Sequence, residues 1–281
     1  MDSVVFKQEQ RKNWNGLANA WGAWGDAFEL GAAHVSRALF EMAGLKQGDT
    51  VLDIATGIGE PALSAGHLVG AKGRVIGIDI AEEMIAIAKS RGRKSSNVEF
   101  IAVDADSYEF RHTYDVVLSR FGFMFLPDRG NVFKKIYSSL SREGVLAFSV
   151  WDTPDKVPMI SLAVGFFAME LNLPPPPKGL PSPFIMADIE TVTEELRTLG
   201  FSGIISRRIE VPFVFESVDD YLHFSRDLIP ASINKIISEA SDANAIKTLW
   251  SHFREVVRKF EIPDGTISLK SNAICVSAVK L

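Results

Sequence analysis

Residues 53–59 read Asp-Ile-Ala-Thr-Gly-Ile-Gly. They close a short apolar run at 50–55 and open into a helical pattern that begins at Pro61. Two glycines so placed let the backbone turn tightly and approach a ligand closely. In open α/β sheets, ligands sit beyond the carboxyl ends of the strands. The feature therefore demands a parallel sheet with a site at its strand ends.

The rest of the chain follows that demand. Apolar runs at 50–55, 74–79, 97–103, 114–119 and 145–151 read as strands. Between them, 62–69 and 82–91 read as helices, and Asp128 caps a third with Val132, Phe133, Ile136 and Leu140 inward. Strands alternating with helices imply crossover connections and a parallel sheet. After Trp151 the rhythm breaks. An insertion at 152–187 carries an apolar helix and four prolines at 174–177, an extended loop. Residues 188–199 are helical again, 205–215 is a sixth strand, 217–260 is helical, and 272–280 is the last strand. Ahead of the sheet, Trp14, Trp21, Trp24 and Phe28 share one face of a helix at 7–28. A second helix with Val35, Leu39 and Met42 inward follows and stops at Gly44.

The expected organisation is a single domain over 1–281. Residues 1–49 form a helical lid and 50–151 the ligand-binding core. Residues 152–187 and 216–264 are cap insertions, and 188–215 with 265–281 complete the sheet.

Composition removes several classes. The net charge of −5 argues against a general grip on nucleic acid, which needs a basic surface. One cysteine, Cys275, permits neither an internal disulfide nor a cysteine metal cage. His34, His67, His112, His223 and His252 show no metal-ligand spacing, so no metal is expected. Residues 1–5 lack a basic segment followed by an apolar one, so no signal peptide is expected. The most apolar stretch, 159–171, is too short to span a bilayer. A cytoplasmic protein without an integral membrane segment is the expectation.

Taken alone, Gly57-x-Gly59-x-x-Ala62 also fits a loose dinucleotide fingerprint. Three carboxylate positions move the reading. Asp53 stands four residues before Gly57, placed to meet an amino group rather than a pyrophosphate. Asp79 ends the second strand, where an acid accepts both ribose hydroxyls, although it would also serve as a turn cap. Asp104-Ala105-Asp106 ends the third strand, where a carboxylate accepts from an adenine amino group. Asp104 and Asp106 compete for that role. Amino acid, ribose and adenine, in that order, are the parts of S-adenosylmethionine.

On these residues the chain resembles class I S-adenosylmethionine-dependent methyltransferases, in the small-molecule group of the ubiquinone/menaquinone biosynthesis C-methyltransferases. The matching segments are VLDIATGIGEPA at 51–62, VIGIDIAEEM at 75–84, VDAD at 103–106, YDVVLSRFGFMFLPD at 114–128 and REGVLAFSVW at 142–151. The resemblance implies a Rossmann-like, doubly wound, seven-stranded and mostly parallel sheet. Its strand order would be 3-2-1-4-5-7-6, with the seventh strand antiparallel. It implies that Asp53, Ala55, Thr56, Gly57 and Gly59 line the methionine part, with Ser119 beside it. Asp79 and Ile80 would hold the ribose, Met84 would pack on the adenine, and Asp104 with Ala105 would meet the adenine edge. Met84 read on its own is equally a core residue.

The acceptor would be a small, apolar or aromatic molecule, lined by Trp14, Trp21, Trp24, Arg120, Phe121 and Met124. Phe125, Phe166, Phe167, Phe184, Tyr221 and Phe224 would extend that lining. Arg120 is the cation expected to meet the acceptor's polar tip, and a surface charge is its plainer reading. His223 is the candidate base. The alternatives are a nicotinamide-dependent oxidoreductase and a non-catalytic S-adenosylmethionine-binding protein. Against the first, the chain has no Tyr-x-x-x-Lys pair. Nucleic-acid methylation is disfavoured because the fourth strand ends Ser119-Arg120-Phe121-Gly122 rather than in an Asn/Asp-Pro-Pro-aromatic turn. The oligomeric state is left open.

Overall fold

The computed structural model describes residues 3–175, 177, 179–239 and 242–281, with the backbone alone at Ser3. Pro176 of the proline run, and Met1 and Asp2 of the segment read for a signal peptide, lie outside the described residues.

Seven strands form one sheet: β1 (Thr50–Ile54), β2 (Arg74–Asp79), β3 (Val98–Ala102), β4 (Tyr114–Arg120), β5 (Leu140–Trp151), β6 (Ser202–Phe215) and β7 (Ile267–Val279). Their order is β3-β2-β1-β4-β5-β7-β6. The pairs from β3 through β5 are parallel. β7 runs antiparallel to both β5 and β6. Order and directions are those the resemblance implied. The central strands are continuous apolar runs because helices cover both faces of a parallel sheet. Val51, Leu52 and Ile54 accordingly have no exposed surface.

The crossover helices are α2 (Ala62–Val69), α3 (Glu82–Gly92) and α4 (Arg129–Ser139). Asp128 caps α4 as expected, its carboxylate accepting from the Asn131 N–H at 3.1 Å. Leu140 is not on that helix, however. It is the first residue of β5, pairing with Tyr114 across the sheet. A buried leucine at a helix–strand junction satisfies either period, and only the ladder decides.

Residues beyond β5 supply α5 (Pro158–Glu170), α6 (Ile189–Thr198), α7 (Val218–Leu228), α8 (Ala231–Glu239) and α9 (Ala243–Val257). α5 and α9 meet through aromatic rings: Phe166 and Phe167 each lie 5.0 Å from Phe253, centroid to centroid.

The N-terminal segment departs most from expectation. It is one helix, α1 (Ser3–Ala43), rather than two. Its 41 residues span about 60 Å. Gly31 does not break it, because the glycine is there for packing. A Cβ at Gly31 would lie 2.6 Å from the Pro212 carbonyl oxygen of β6. The stop is Gly44, as expected, at a φ of +62°. α1 touches α3, β4, β5, β6, β7 and α7 in turn, so it crosses the sheet.

Candidate active site at the strand ends

β1 delivers Asp53 and Ile54 to the carboxyl edge of the sheet, and the chain then turns at Ala55, whose φ is +59°. The loop is pinned by backbone bonds. Thr56 N–H donates to the Ile78 carbonyl at 3.0 Å, and Gly59 N–H to the Thr56 carbonyl at 3.0 Å. Asp79, ending the next strand, accepts from the Gly57 and Ala81 N–H groups at 2.9 Å each. Burial pushes the Asp79 carboxyl above its ordinary range, against the pull of those two N–H groups. Gly57 has a φ of +54°, and a Cβ built there meets nothing within 4 Å. The loop's bend therefore opens onto empty space.

Polar atoms collect in this place without partners. Both Asp53 carboxylate oxygens, the Thr56 hydroxyl and the Ser119 hydroxyl are buried and accept or donate no hydrogen bond. Asp53 pairs with Gly77 on one side and Leu118 on the other, one position before Ser119, so the groups lie on neighbouring strands. Gly77 is close enough that a Cβ there would stand 2.9 Å from the Thr56 hydroxyl. Burial pushes Asp53 up to about 7, with the Thr56 hydroxyl and the Arg120 charge pulling the other way. A buried polar group without a partner costs roughly 1–3 kcal/mol. Several together at one strand edge make it the candidate site.

α1 forms the roof. Lys7 pairs with Asp104 at 2.9 Å and Asp106 at 2.6 Å. Burial alone would raise Asp106, but its bonds with Lys7 and Asn131 hold it below the usual carboxylate range. Arg11 and Asn15 bind Glu82 at the start of α3. A cleft of about 450 Å³ runs between Lys7, Gln8 and Arg11 on one side and Ile80, Val103 and Asp104 on the other. Further along, Trp14, Ala18 and Trp21 pack with Ile58 of the glycine loop and with Ala81 and Met84. Gly25 lies so near the loop that its Cβ would be 2.5 Å from Ile58 Cδ1.

Comparison with known proteins places this geometry. A family model described as a methyltransferase domain matches residues 51–144. The sterol 24-C-methyltransferase of Saccharomyces cerevisiae is 26% identical over 200 residues, covering 68% of this chain and 50% of that protein. The ubiquinone/menaquinone biosynthesis C-methyltransferase of Escherichia coli is 28% identical over 141 residues, 47% of this chain and 56% of that protein. The chain thus spans about half the length of these relatives. Over residues 51–144 the chain is similar to methyltransferase domains. A solved structure of phosphoethanolamine N-methyltransferase 2 from Haemonchus contortus, in complex with S-adenosyl-L-methionine, shares the fold. Its TM-score is 0.55 at 22% identity, over 90% of this chain and 56% of that one.

The unpartnered atoms fit that cofactor. One carboxylate suits an ammonium, and two hydroxyls suit a carboxylate or sulfonium-bearing chain. Asp53, Thr56, Gly57 and Ser119 are the residues that would hold the amino-acid part.

Other expected site residues fall differently. Arg120 is buried rather than a surface charge, its side chain 6% exposed, but it is not free for an acceptor. Its guanidinium grips the Glu29 carboxylate of α1 with both terminal nitrogens and donates to Ser36 at 2.9 Å. Phe121 stacks on Trp151 with centroids 3.8 Å apart. Met124 is 1% exposed and belongs to the core, so it offers no surface to an acceptor. Trp14 meets Phe125 edge-on at 5.1 Å. Trp24 turns away, its indole donating to Asp227 at 2.8 Å and its ring against Phe224. Phe166 and Phe167 pack on α9, as the fold requires, and not on the strand ends.

His223, the candidate base, sits on the exposed side of α7, because Tyr221, Leu222, Phe224 and Ser225 take the buried side. A base there would face solvent. Among the described residues, no group of three or more metal-ligating side chains occurs, and no helix is long and apolar enough to cross a membrane.

Lys7, Glu29 and Ser36 were not foreseen. The signal was present as spacing. Lys7, Trp14, Trp21 and Phe28 recur every seven residues, and Ser36 stands seven after Glu29. A stripe with that period holds one helical face, and its polar members share the aromatic side.

Proposed function

We propose that this chain transfers a methyl group from S-adenosylmethionine to a small, apolar or aromatic acceptor. The buried, unpartnered carboxylate of Asp53 at the glycine loop is the observation that carries the reading. An ammonium is the group that such a carboxylate needs, and neither a dinucleotide pyrophosphate nor a nicotinamide brings one there.

The cofactor supplies a methyl already activated on sulfur, leaving as a neutral thioether. The chain has then to align the nucleophile and exclude water, which lowers a barrier by roughly 7–11 kcal/mol. Asp53 orients the amino-acid end. Asp79 holds the loop and keeps lone pairs for the ribose hydroxyls. Lys7 ties Asp104 and Asp106 together at the adenine side. α1 keeps solvent from the strand ends.

The apolar acceptor is supported by the rings beyond β4. Phe28 and Phe121, both half-buried, lie 6.3 Å apart there, centroid to centroid, backed by the buried rings of Trp151 and Phe213. The charge of Arg120 is met by Glu29, so the wall presents no net charge. A neutral acceptor fits such a wall. Isothermal titration with S-adenosylmethionine and with a nicotinamide dinucleotide tests the cofactor. Labelled methyl transfer into a small-molecule extract, read by mass spectrometry, tests the acceptor. Incorporation only into charged, polar products would overturn the apolar reading.

A further inference from the structure

Trp21 stands on α1, outside the sheet, yet its indole nitrogen is buried and has no hydrogen-bond partner. The ring is wedged between two parts of the site. On one side it packs against the cluster that Ala18 forms with Ile58 of the glycine loop, Ala81 and Met84. On the other it meets Phe28 edge-on at 5.0 Å, and Phe28 lies 6.3 Å from Phe121 at the end of β4. Trp21 therefore spans the region between the glycine loop and the tip of β4.

The sister residue Trp24 shows what an indole does when a partner is within reach: it donates to Asp227 at 2.8 Å. Nothing comparable reaches Trp21. A buried N–H without an acceptor is rare in folded proteins and calls for a specific explanation.

The unpartnered groups then sort by sign. Asp53 is the acceptor and suits an ammonium. The Thr56 and Ser119 hydroxyls can donate or accept, whereas the Trp21 indole N–H can only donate and suits an anionic oxygen. An α-amino acid is a zwitterion that carries both charges on one carbon. Arg120, the nearby cation, is already held by Glu29 and Ser36. An amino-acid carboxylate in this site has to be met by neutral donors.

We propose that the Trp21 indole N–H donates to the carboxylate of the cofactor's amino-acid end, which makes α1 a wall of the cofactor site and not only of the acceptor site. The proposal rests on the methyltransferase reading and adds a residue from outside the sheet to the cofactor's ligands. It has a consequence for α1. Bringing Trp21 into this place buries an unmet donor until the ligand arrives, so α1 packs better over bound cofactor than over the bare loop.

The test uses the full chain and two ligands. S-adenosylhomocysteine carries the amino-acid end; 5′-methylthioadenosine keeps the adenosine and sulfur and lacks it. Trp21→Phe keeps an aromatic ring against the Ile58 cluster and Phe28 and removes the N–H. It is expected to weaken S-adenosylhomocysteine by about ten- to a hundredfold, the scale of a hydrogen bond to a charged group. Affinity for 5′-methylthioadenosine is expected to stay as in the wild type. Unchanged affinity for S-adenosylhomocysteine, or equal weakening of both ligands, overturns the proposal.

Indole N–H resonances of the wild type give a second readout that needs no folded Trp21 variant. Trp14→Phe, Trp24→Phe, Trp151→Phe and Trp250→Phe assign the other four indoles. The remaining signal is expected to move downfield with S-adenosylhomocysteine and not with 5′-methylthioadenosine. A signal that ignores both ligands overturns the proposal while leaving the methyltransferase reading in place. A wild type that binds neither ligand overturns the reading itself.

Discussion

The Asp79 carboxylate accepts the Gly57 N–H at 2.9 Å, so the acid that ends β2 also clamps the glycine loop that follows β1. Under the proposed function, ligand binding and loop structure meet in one side chain. The same carboxylate caps Ala81 at the entrance to α3. Asp79→Ala then removes partners from two backbone donors at once. We expect a loss of about 1–3 kcal/mol in folding stability, together with cofactor binding weakened by about 1.5–3 kcal/mol. Denaturant unfolding and titration on the same preparation separate the two. Normal affinity in the folded variant would remove Asp79 from the ribose site.

Gly57→Val tests the loop from the other side. The φ of +54° strains any L side chain by roughly 1–2 kcal/mol. Apart from its two chain neighbours, no described residue comes within 4 Å of the added Cβ, so the fold should survive. The branched side chain would occupy the space into which the loop opens. Circular dichroism close to wild type with no measurable cofactor binding is the expected pair of results. Near-normal binding would place the cofactor elsewhere.

Asp53 carries a pH dependence. Burial holds its carboxyl up at about 7 against an ordinary value of 3.8. Between these values the unfolded chain has released the proton and the folded chain keeps it. Stability of the free protein therefore falls as pH rises from about 4 to 7 and levels off above. Binding an ammonium runs the opposite way, since it needs the ionised form. Affinity for S-adenosylhomocysteine should rise through pH 6 to 7, by at most about tenfold per pH unit, and flatten above. Asp53→Asn should bind weakly and remove both slopes. Titrations at four pH values, paired with urea midpoints, check the two signs.

The Arg120–Glu29 pair is a structural bond between β4 and α1. Glu29→Gln leaves a guanidinium with 6% of its surface exposed and its countercharge gone. Breaking a buried pair from one side costs about 3–5 kcal/mol, and the lower figure applies because Glu29 is 22% exposed. Replacing both partners, Arg120→Met with Glu29→Leu, should recover most of that loss. A double-mutant cycle in urea measures it. If Glu29→Gln is as stable as wild type, Arg120 is free to serve the acceptor after all.

Much of this protein is legible in its local sequence pattern. The glycine loop, Asp53 and Asp79 carry local chemistry at a fixed spacing from a strand end, and a parallel sheet leaves a strand end little choice of position. The strands of the first half were equally plain, because apolar runs and turn residues are short-range signals. Leu140 was misassigned for the same reason: one buried residue fits both periods, and its partner Tyr114 lies 26 positions away.

α1 shows where local signals end. Its aromatic stripe announced a helix, but continuity through Gly31 depends on how near Pro212 of β6 comes. Arg120 had a foreseeable place at the tip of β4, whereas its charge is cancelled by Glu29, 91 residues earlier. His223 had a foreseeable helix, but which side of α7 faces water is set by what packs beneath Tyr221 and Phe224. Period and spacing are enough for the sheet's parallel half and for placing the glycine loop and its carboxylates at the strand ends. The roof is set by tertiary contacts: which side chains of α1 meet the loop, which charges cancel and which donor is left unmet. Those depend on contacts between residues far apart in the chain, whose distances no local pattern records.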